Sequence, residues 1–241
     1  MRNILNINQG WQFFKNTADP AVSEGALDVN LPHTWNAEDG ADGGNDYFRG
    51  SCIYKKTIVK AELPEADQYY LEIRGANSSA DVYANGKALC HHDGGYSTWR
   101  VNLTEELGET MELAICVDNA PNERVYPQMA DFTFYGGLYR DVNIIAVSNT
   151  HFDLDYFGAP GIKITPEICG ADAKVEVEVY TTALTEGQKI AYTLYDKEGA
   201  ELQKIESADK VVTFEIKDVH LWNGRKDPYL YSCKAEIVEG E

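Results

Sequence analysis

Lys174-Val175-Glu176-Val177-Glu178-Val179 places valine at every second position and a charged residue at every position between. A repeat of two is the repeat of a β-strand, whose successive side chains point to opposite faces; on a helix the same valines would be scattered around the cylinder. The six residues therefore predict a strand with one face buried and one face in water. Working outward, Ile190 to Tyr195, Val211 to Ile216 and Tyr229 to Ile237 read as further strands. Turn signals separate them: Thr185-Glu186-Gly187, Asp196-Lys197-Glu198-Gly199 and Asn223-Gly224. Strands at this spacing, with alternation and no helical stripe, predict an immunoglobulin-like β-sandwich over residues 149–241. The Cys-Trp-Cys spacing of antibody domains is missing, so the prediction concerns architecture only.

Residues 1–148 carry the same β texture with longer, more aromatic loops. Tyr70-Leu71-Glu72-Ile73-Arg74 alternates apolar and charged residues, which predicts a strand with one wet face. Ala80 to Ala84 runs into Asn85-Gly86, the pair that accepts the positive φ angles of a type I′ hairpin, and Lys87 to Cys90 returns. Met111 to Val117 and Val142 to Val147 read as buried strands, while Leu103 to Leu107 makes a single turn. The fold class is all-β: a jelly-roll sandwich followed by an immunoglobulin-like sandwich.

The chain has 241 residues, of which 39 are acidic and 21 basic, for a formal net charge of −18. A field of that sign repels phosphate backbones, which excludes nucleic acid as a partner. No apolar run approaches the ~20 residues of a membrane span, so no membrane association is expected. Residues 1–15 lack the apolar core of a signal peptide; a cytoplasmic location, or a periplasmic or secreted one with the signal removed, both fit. Cys52, Cys90, Cys116, Cys169 and Cys233 are odd in number and lack metal-site spacing. Cys90-His91-His92 would point three ways on a strand, so neither a metal nor a cofactor is expected. Asn77-Ser78-Ser79 and Asn102-Leu103-Thr104 match the glycosylation pattern, which is short and common by chance.

Several strings, in order along the chain, resemble glycoside hydrolase family 2, the β-galactosidase and β-glucuronidase family. They are Leu31-Pro32-His33-Thr34-Trp35-Asn36, Tyr47-Phe48-Arg49-Gly50, and Ala76-Asn77-Ser78-Ser79-Ala80-Asp81. Asp131-Phe132-Thr133-Phe134-Tyr135-Gly136-Gly137-Leu138-Tyr139-Arg140-Asp141 and Leu221-Trp222 with Pro228-Tyr229-Leu230-Tyr231 complete the set. The resemblance implies a galactose-binding-like jelly roll, an immunoglobulin-like sandwich, and then a TIM barrel with the catalytic carboxylates. It covers the first two modules. A barrel needs roughly 250 further residues, so no catalytic residue is expected here.

The implied role is a non-catalytic fragment of a retaining β-glycosidase, of the β-galactosidase type, that completes the sugar pocket of its own catalytic barrel. The alternative is a free-standing carbohydrate-binding or adhesion module. The partner in the whole enzyme would be a β-linked sugar. The family's habit of oligomerising implies a homo-oligomer.

Asp131 matches the aspartate that, in this family, reaches from the jelly roll to the sugar. An ionised carboxylate accepts from two hydroxyls and so can orient a ring. Asn45 and Asp46 end an acidic, glycine-rich loop that in relatives lies near the mouth of the pocket, with Glu38, Asp39 and Asp42 read as solvated. Trp99, after Gly94-Gly95-Tyr96, is the expected exposed stacking platform, while Trp11, Trp35 and Trp222 are expected in the core. His33 is expected to be a buried hydrogen-bonding residue. Arg49 and Arg140 are expected to brace the fold through carboxylates such as Asp81 or Asp141.

Overall fold

A computed structural model describes residues 2–40, 46–127 and 129–239. It divides into two compact units, Met1–Asn149 and Thr150–Glu241. The described residues contain sixteen strands, one 3-10 turn at Lys60–Glu62 and no α-helix.

In the first unit, β1 (Asn3–Asn6), β10 (Val142–Val147), β5 (Gln68–Ile73) and β8 (Trp99–Asn102) form one antiparallel sheet in that spatial order. The second sheet runs β3 (Leu27–Val29), β2 (Trp11–Phe14), β4 (Ser51–Val59), β9 (Thr110–Asp118), β6 (Ser79–Ala84), β7 (Lys87–Asp93). β6 and β7 are joined by Asn85 and Gly86 at φ 50° and 79°, as the Asn-Gly pair requires. Leu103 to Leu107 is a single turn, closed by the Glu106 and Leu107 amides on the Leu103 carbonyl at 3.0 Å. Between the sheets lie Trp11, Tyr54, Leu71, Ile73, Val82, Leu113 and Ile115, all fully buried.

The wet face expected for β5 is not wet. Glu72 is 2% exposed. It takes part in a polar row that crosses the sheet in register, Asn6–Asn143–Glu72–Arg100. Arg100 donates to the Glu72 carboxylate from Nε at 2.9 Å and Nη2 at 2.7 Å, Arg74 from Nε at 3.0 Å, and Asn143 from Nδ2 at 3.0 Å. Burial works to raise the pKa of this carboxyl, but the three donors outweigh it and hold the group below the ordinary glutamate value. Alternation predicts the strand correctly; it does not tell a solvated charge from a buried, paired one.

In the second unit, β11 (Ile162–Cys169), β12 (Asp172–Val179) and β15 (Val211–Ile216) form one antiparallel sheet, and β14 (Glu201–Ser207), β13 (Gln188–Tyr195) and β16 (Ser232–Glu239) the other. β12 behaves as its alternation demands: Val175, Val177 and Val179 are buried while Lys174 and Glu176 are exposed. They meet Ile190, Tyr192, Leu194, Phe214 and Ile216 in a single cluster. Full burial of one such valine stabilises the unit by roughly 1.5–3 kcal/mol. The sequence pattern does not disclose β11 and β14, which are sheet edges; β11 carries Pro166, a residue that strands tolerate only where its missing N–H faces solvent.

Candidate functional site

Three asparagines organise one group of loops in the first unit. Asn36 and Asn119 are fully buried and Asn77 nearly so. The Asn36 side chain donates to the Phe48 carbonyl at 2.9 Å and accepts from the Gly136 amide at 2.8 Å. Asn119 donates to the Asn36 side chain at 3.1 Å and to the Phe134 carbonyl at 2.8 Å, and it accepts from the Gly50 amide at 2.9 Å. Asn77 donates to the Tyr135 carbonyl at 2.8 Å. An amide carries donors and acceptors at once, so each side chain can tie two loops whose backbone groups have no ladder to join. The stretch Phe134–Gly136 is thereby fastened, through Asn36, Asn77 and Asn119, to Phe48 and Gly50. Thr133 adds a bond from Oγ1 to the Gly40 carbonyl at 2.9 Å, and the Phe134 amide donates to the Tyr47 hydroxyl at 3.0 Å. Gly136 is required here because a Cβ at that position would fall inside the Trp35 ring.

On this frame Asp131 is exposed and has no hydrogen bond or ion pair among the described residues. Phe132 beside it is half exposed, its ring 5.4 Å from Phe134. Asp46 is exposed one residue before Tyr47, so the bond from the Phe134 amide to Tyr47 ties the segments carrying the two aspartates. Asn45 lies outside the described residues, as does Asp42. Tyr126, Met129, Phe132 and Tyr135 are exposed apolar side chains on the segments flanking Asp131, and the motif reading does not single them out. The available signal is aromatic residues in a stretch with no strand alternation to bury them.

Trp99 requires a correction. It opens strand β8 instead of sitting on a loop, is 7% exposed, and stacks on the His92 ring at 4.7 Å and 13°. A face already covered by imidazole is not open to a sugar. Trp222 is corrected the other way: expected in the core, it is 63% exposed, whereas Trp11 and Trp35 are buried as expected.

Asp39 is not a solvated loop charge. Its carboxylate accepts from the Phe48 amide and from Asn36 Nδ2, both at 3.0 Å. Desolvation opposes these bonds, yet together they keep the carboxyl below the ordinary aspartate value. His33 Nδ1 lies 2.7 Å from the Tyr54 hydroxyl, and burial lowers the imidazole pKa.

Arg49 and Arg140 do brace the fold, but through carbonyls. Arg49 Nε donates to Asn119 at 2.7 Å, and Arg140 Nη1 to Tyr96 at 2.8 Å and Arg74 at 3.3 Å. The carboxylates expected for them are taken elsewhere, Asp81 by His91 and Asp141 by Asn8 and Arg74. Asn77 spends its amide internally, which removes it as a glycan acceptor. Cys90, His91 and His92 face different partners, and among the described residues no group of three or more such side chains is placed to hold a metal ion.

Residues 46–144 match the glycosyl hydrolase 2 galactose-binding domain-like profile, and residues 159–241 match glycosyl hydrolases family 2. The two domains are those of glycosyl hydrolase family 2. A β-glucuronidase of Bacteroides fragilis is 30% identical over 98% of this chain and 35% of its own length. A β-galactosidase of Thermoanaerobacter pseudethanolicus is 25% identical over 98% of this chain and 33% of its own. The solved FMN-binding β-glucuronidase from Facaelibacterium prausnitzii L2-6 superposes with a TM-score of 0.89 at 36% identity, over 100% of this chain and 37% of that one. The chain thus corresponds to the non-catalytic N-terminal region of family 2 enzymes and spans about a third of the length of the relatives it matches. Those relatives are mostly named β-glucuronidases, with some β-galactosidases.

Proposed function

We propose that this chain is the pocket-completing, non-catalytic part of a family 2 retaining β-glycosidase acting on β-glucuronides, with Asp131 as its sugar contact and Asp46 on the same rim. The observation that carries the reading is a contrast within one loop. Buried amides fasten Phe134–Gly136 from several directions, and three residues earlier the Asp131 carboxylate is left outside with no partner among the described residues. An exposed carboxylate beside a fastened loop suits orientation of a sugar by two of its hydroxyls. The sequence reading is of the β-galactosidase type; the balance of relatives moves the proposal to a glucuronide. The acid/base and nucleophile carboxylates of a retaining enzyme stand about 5–5.5 Å apart across the scissile bond, and in this reading both come from outside the chain.

Two measurements test the proposal. The purified 241-residue chain should not hydrolyse a chromogenic β-glucuronide or β-galactoside, and turnover would overturn the non-catalytic role. In an assembled enzyme containing this chain, Asp131→Asn should lower kcat/KM by about 10- to 100-fold. Because the carboxylate is exposed and has no partner among the described residues, the melting temperature should not move. Unchanged kinetics would remove Asp131 from the site.

A further inference from the structure

Arg74 and Arg100 pair with Glu72, and Arg124 with Asp93. Arg49 pairs with no carboxylate among the described residues. Its guanidinium lies 4.8 Å over the Phe134 ring and spends Nε on the Asn119 carbonyl at 2.7 Å. With one π-face and Nε committed, the group is held in place, and its two Nη atoms have no partner among the described residues. A guanidinium held this way keeps the end-on Nη1/Nη2 edge, which matches the two oxygens of a carboxylate.

Arg49 lines a narrow cleft together with Ser78, Tyr96, Asn122, Tyr126 and Phe134. The side-chain amide and hydroxyl groups nearest it are already engaged. Ser78 Oγ donates to the Asp118 carbonyl, and the Asn122 amide donates to Ser79 and Asp93 while its oxygen accepts from the Arg124 amide. Free space in the cleft is 10 Å³, about one water. A sugar ring cannot enter it; a carboxylate can reach its mouth. Tyr126, 82% exposed, and Tyr96, half exposed, offer flat faces there to the apolar side of a ring.

We propose that this cleft is a subsite for the carboxylate of a uronic acid unit, with Arg49 clamping the carboxylate and Tyr126 and Tyr96 packing against the ring. The choice of a uronate over other carboxylates rests on the glucuronidase reading; the cleft and its unspent guanidinium do not. The test uses this chain by itself and so stands apart from the Asp131 experiment. Sodium glucuronate, methyl β-glucoside and sodium acetate are titrated into the isotope-labelled chain, following the Arg49 side-chain and Tyr96 signals. Glucuronate is expected to bind with a Kd of about 1 mM, with acetate at least about fivefold weaker and the neutral glucoside silent. Arg49→Lys should weaken glucuronate about fivefold or more, because an ammonium lacks the paired donors. Tyr126→Ala, a change at an exposed side chain that leaves folding intact, should weaken it about threefold. No response to glucuronate, equal affinity for acetate, or an unaffected Tyr126→Ala variant would each overturn the proposal.

Discussion

Asn36, Asn77, Asn119, Asn143 and Glu72 are buried in the first unit, where the second fills its interior with Val175, Val177, Val179, Ile190 and Phe214. Among the described residues, the second unit's buried polar side chains are His151 and Thr193 only. Both units are antiparallel sandwiches, so the sheets do not demand the difference. The loops do. Long irregular segments carry backbone groups without a ladder, and burying them requires side chains that donate and accept in the same place. The first unit spends three buried amides on holding loops in one arrangement; the second leaves its longest connection, residues 217–231, unburied and fills its interior with apolar side chains. A unit built the first way can present a fixed carboxylate, and one built the second way is suited to be a spacer.

The comparison breaks first, and with the largest effect, at the Glu72 row. Arg100→Ala leaves a buried carboxylate short of its strongest partner and should cost about 3–5 kcal/mol in urea denaturation. The double variant Glu72→Leu/Arg100→Met should cost less than Arg100→Ala, since it removes the buried charge as well as its partner. The row also predicts acid sensitivity. Glu72 is held below its ordinary value, so its contribution is complete above the unfolded pKa of ~4.3 and is lost as pH falls through the lower folded value.

Next comes Asn36→Ala, which strands the Gly136 amide, the Phe48 carbonyl and the Asn119 side chain. It should cost about 2–4 kcal/mol and, unlike Asp131→Asn, should lower both stability and the activity of the assembled enzyme. A variant that melts normally would show that the amides do not carry the loop arrangement.

In the second unit, Val177→Thr places a hydroxyl among valines without a partner and should cost about 1–3 kcal/mol by thermal denaturation. A silent substitution would mean that this interior accepts polarity as readily as the first, and the contrast would fail.

The smallest effect is expected at His91, whose Nδ1 lies 2.7 Å from Asp81 and Nε2 3.2 Å from Asp93. Only the protonated ring donates to both. The hydrogen bond to Asp81, aided by Asp93, raises the imidazole pKa against a modest opposing desolvation. This stabilisation is complete below the unfolded value of ~6.5 and is lost as pH rises through the higher folded one. His91→Asn should flatten the melting temperature between about pH 6 and 8 and cost under about 1 kcal/mol at the acid end, because the pair is exposed.

Much of this is legible along the chain. The valine alternation of β12, the Asn85-Gly86 hairpin and the hydrophobic runs of β9 and β10 are local patterns that report local geometry, and they place their strands correctly. β11 and β14 escape the pattern because neither holds a buried residue, and β11 is further interrupted by Pro166. Asp131 is legible only through its string; nothing in its own neighbourhood distinguishes it from any loop aspartate. Trp99 and Trp222 are misplaced by composition arguments because burial of a large ring depends on what the fold brings against it.

The sequence by itself determined the all-β class and the turn positions, since both follow from side-chain period and backbone preference over a few residues. Tertiary structure decided which polar groups are spent and which are free. Glu72, Asp39 and Asn77 look like surface residues in the sequence and are consumed by partners that lie as far as 71 positions away. Asp131 and the outer edge of Arg49 have no partner among the described residues for the converse reason. Satisfaction of a charge or an amide is a property of whatever packs around it, and that is set by contacts far apart along the chain.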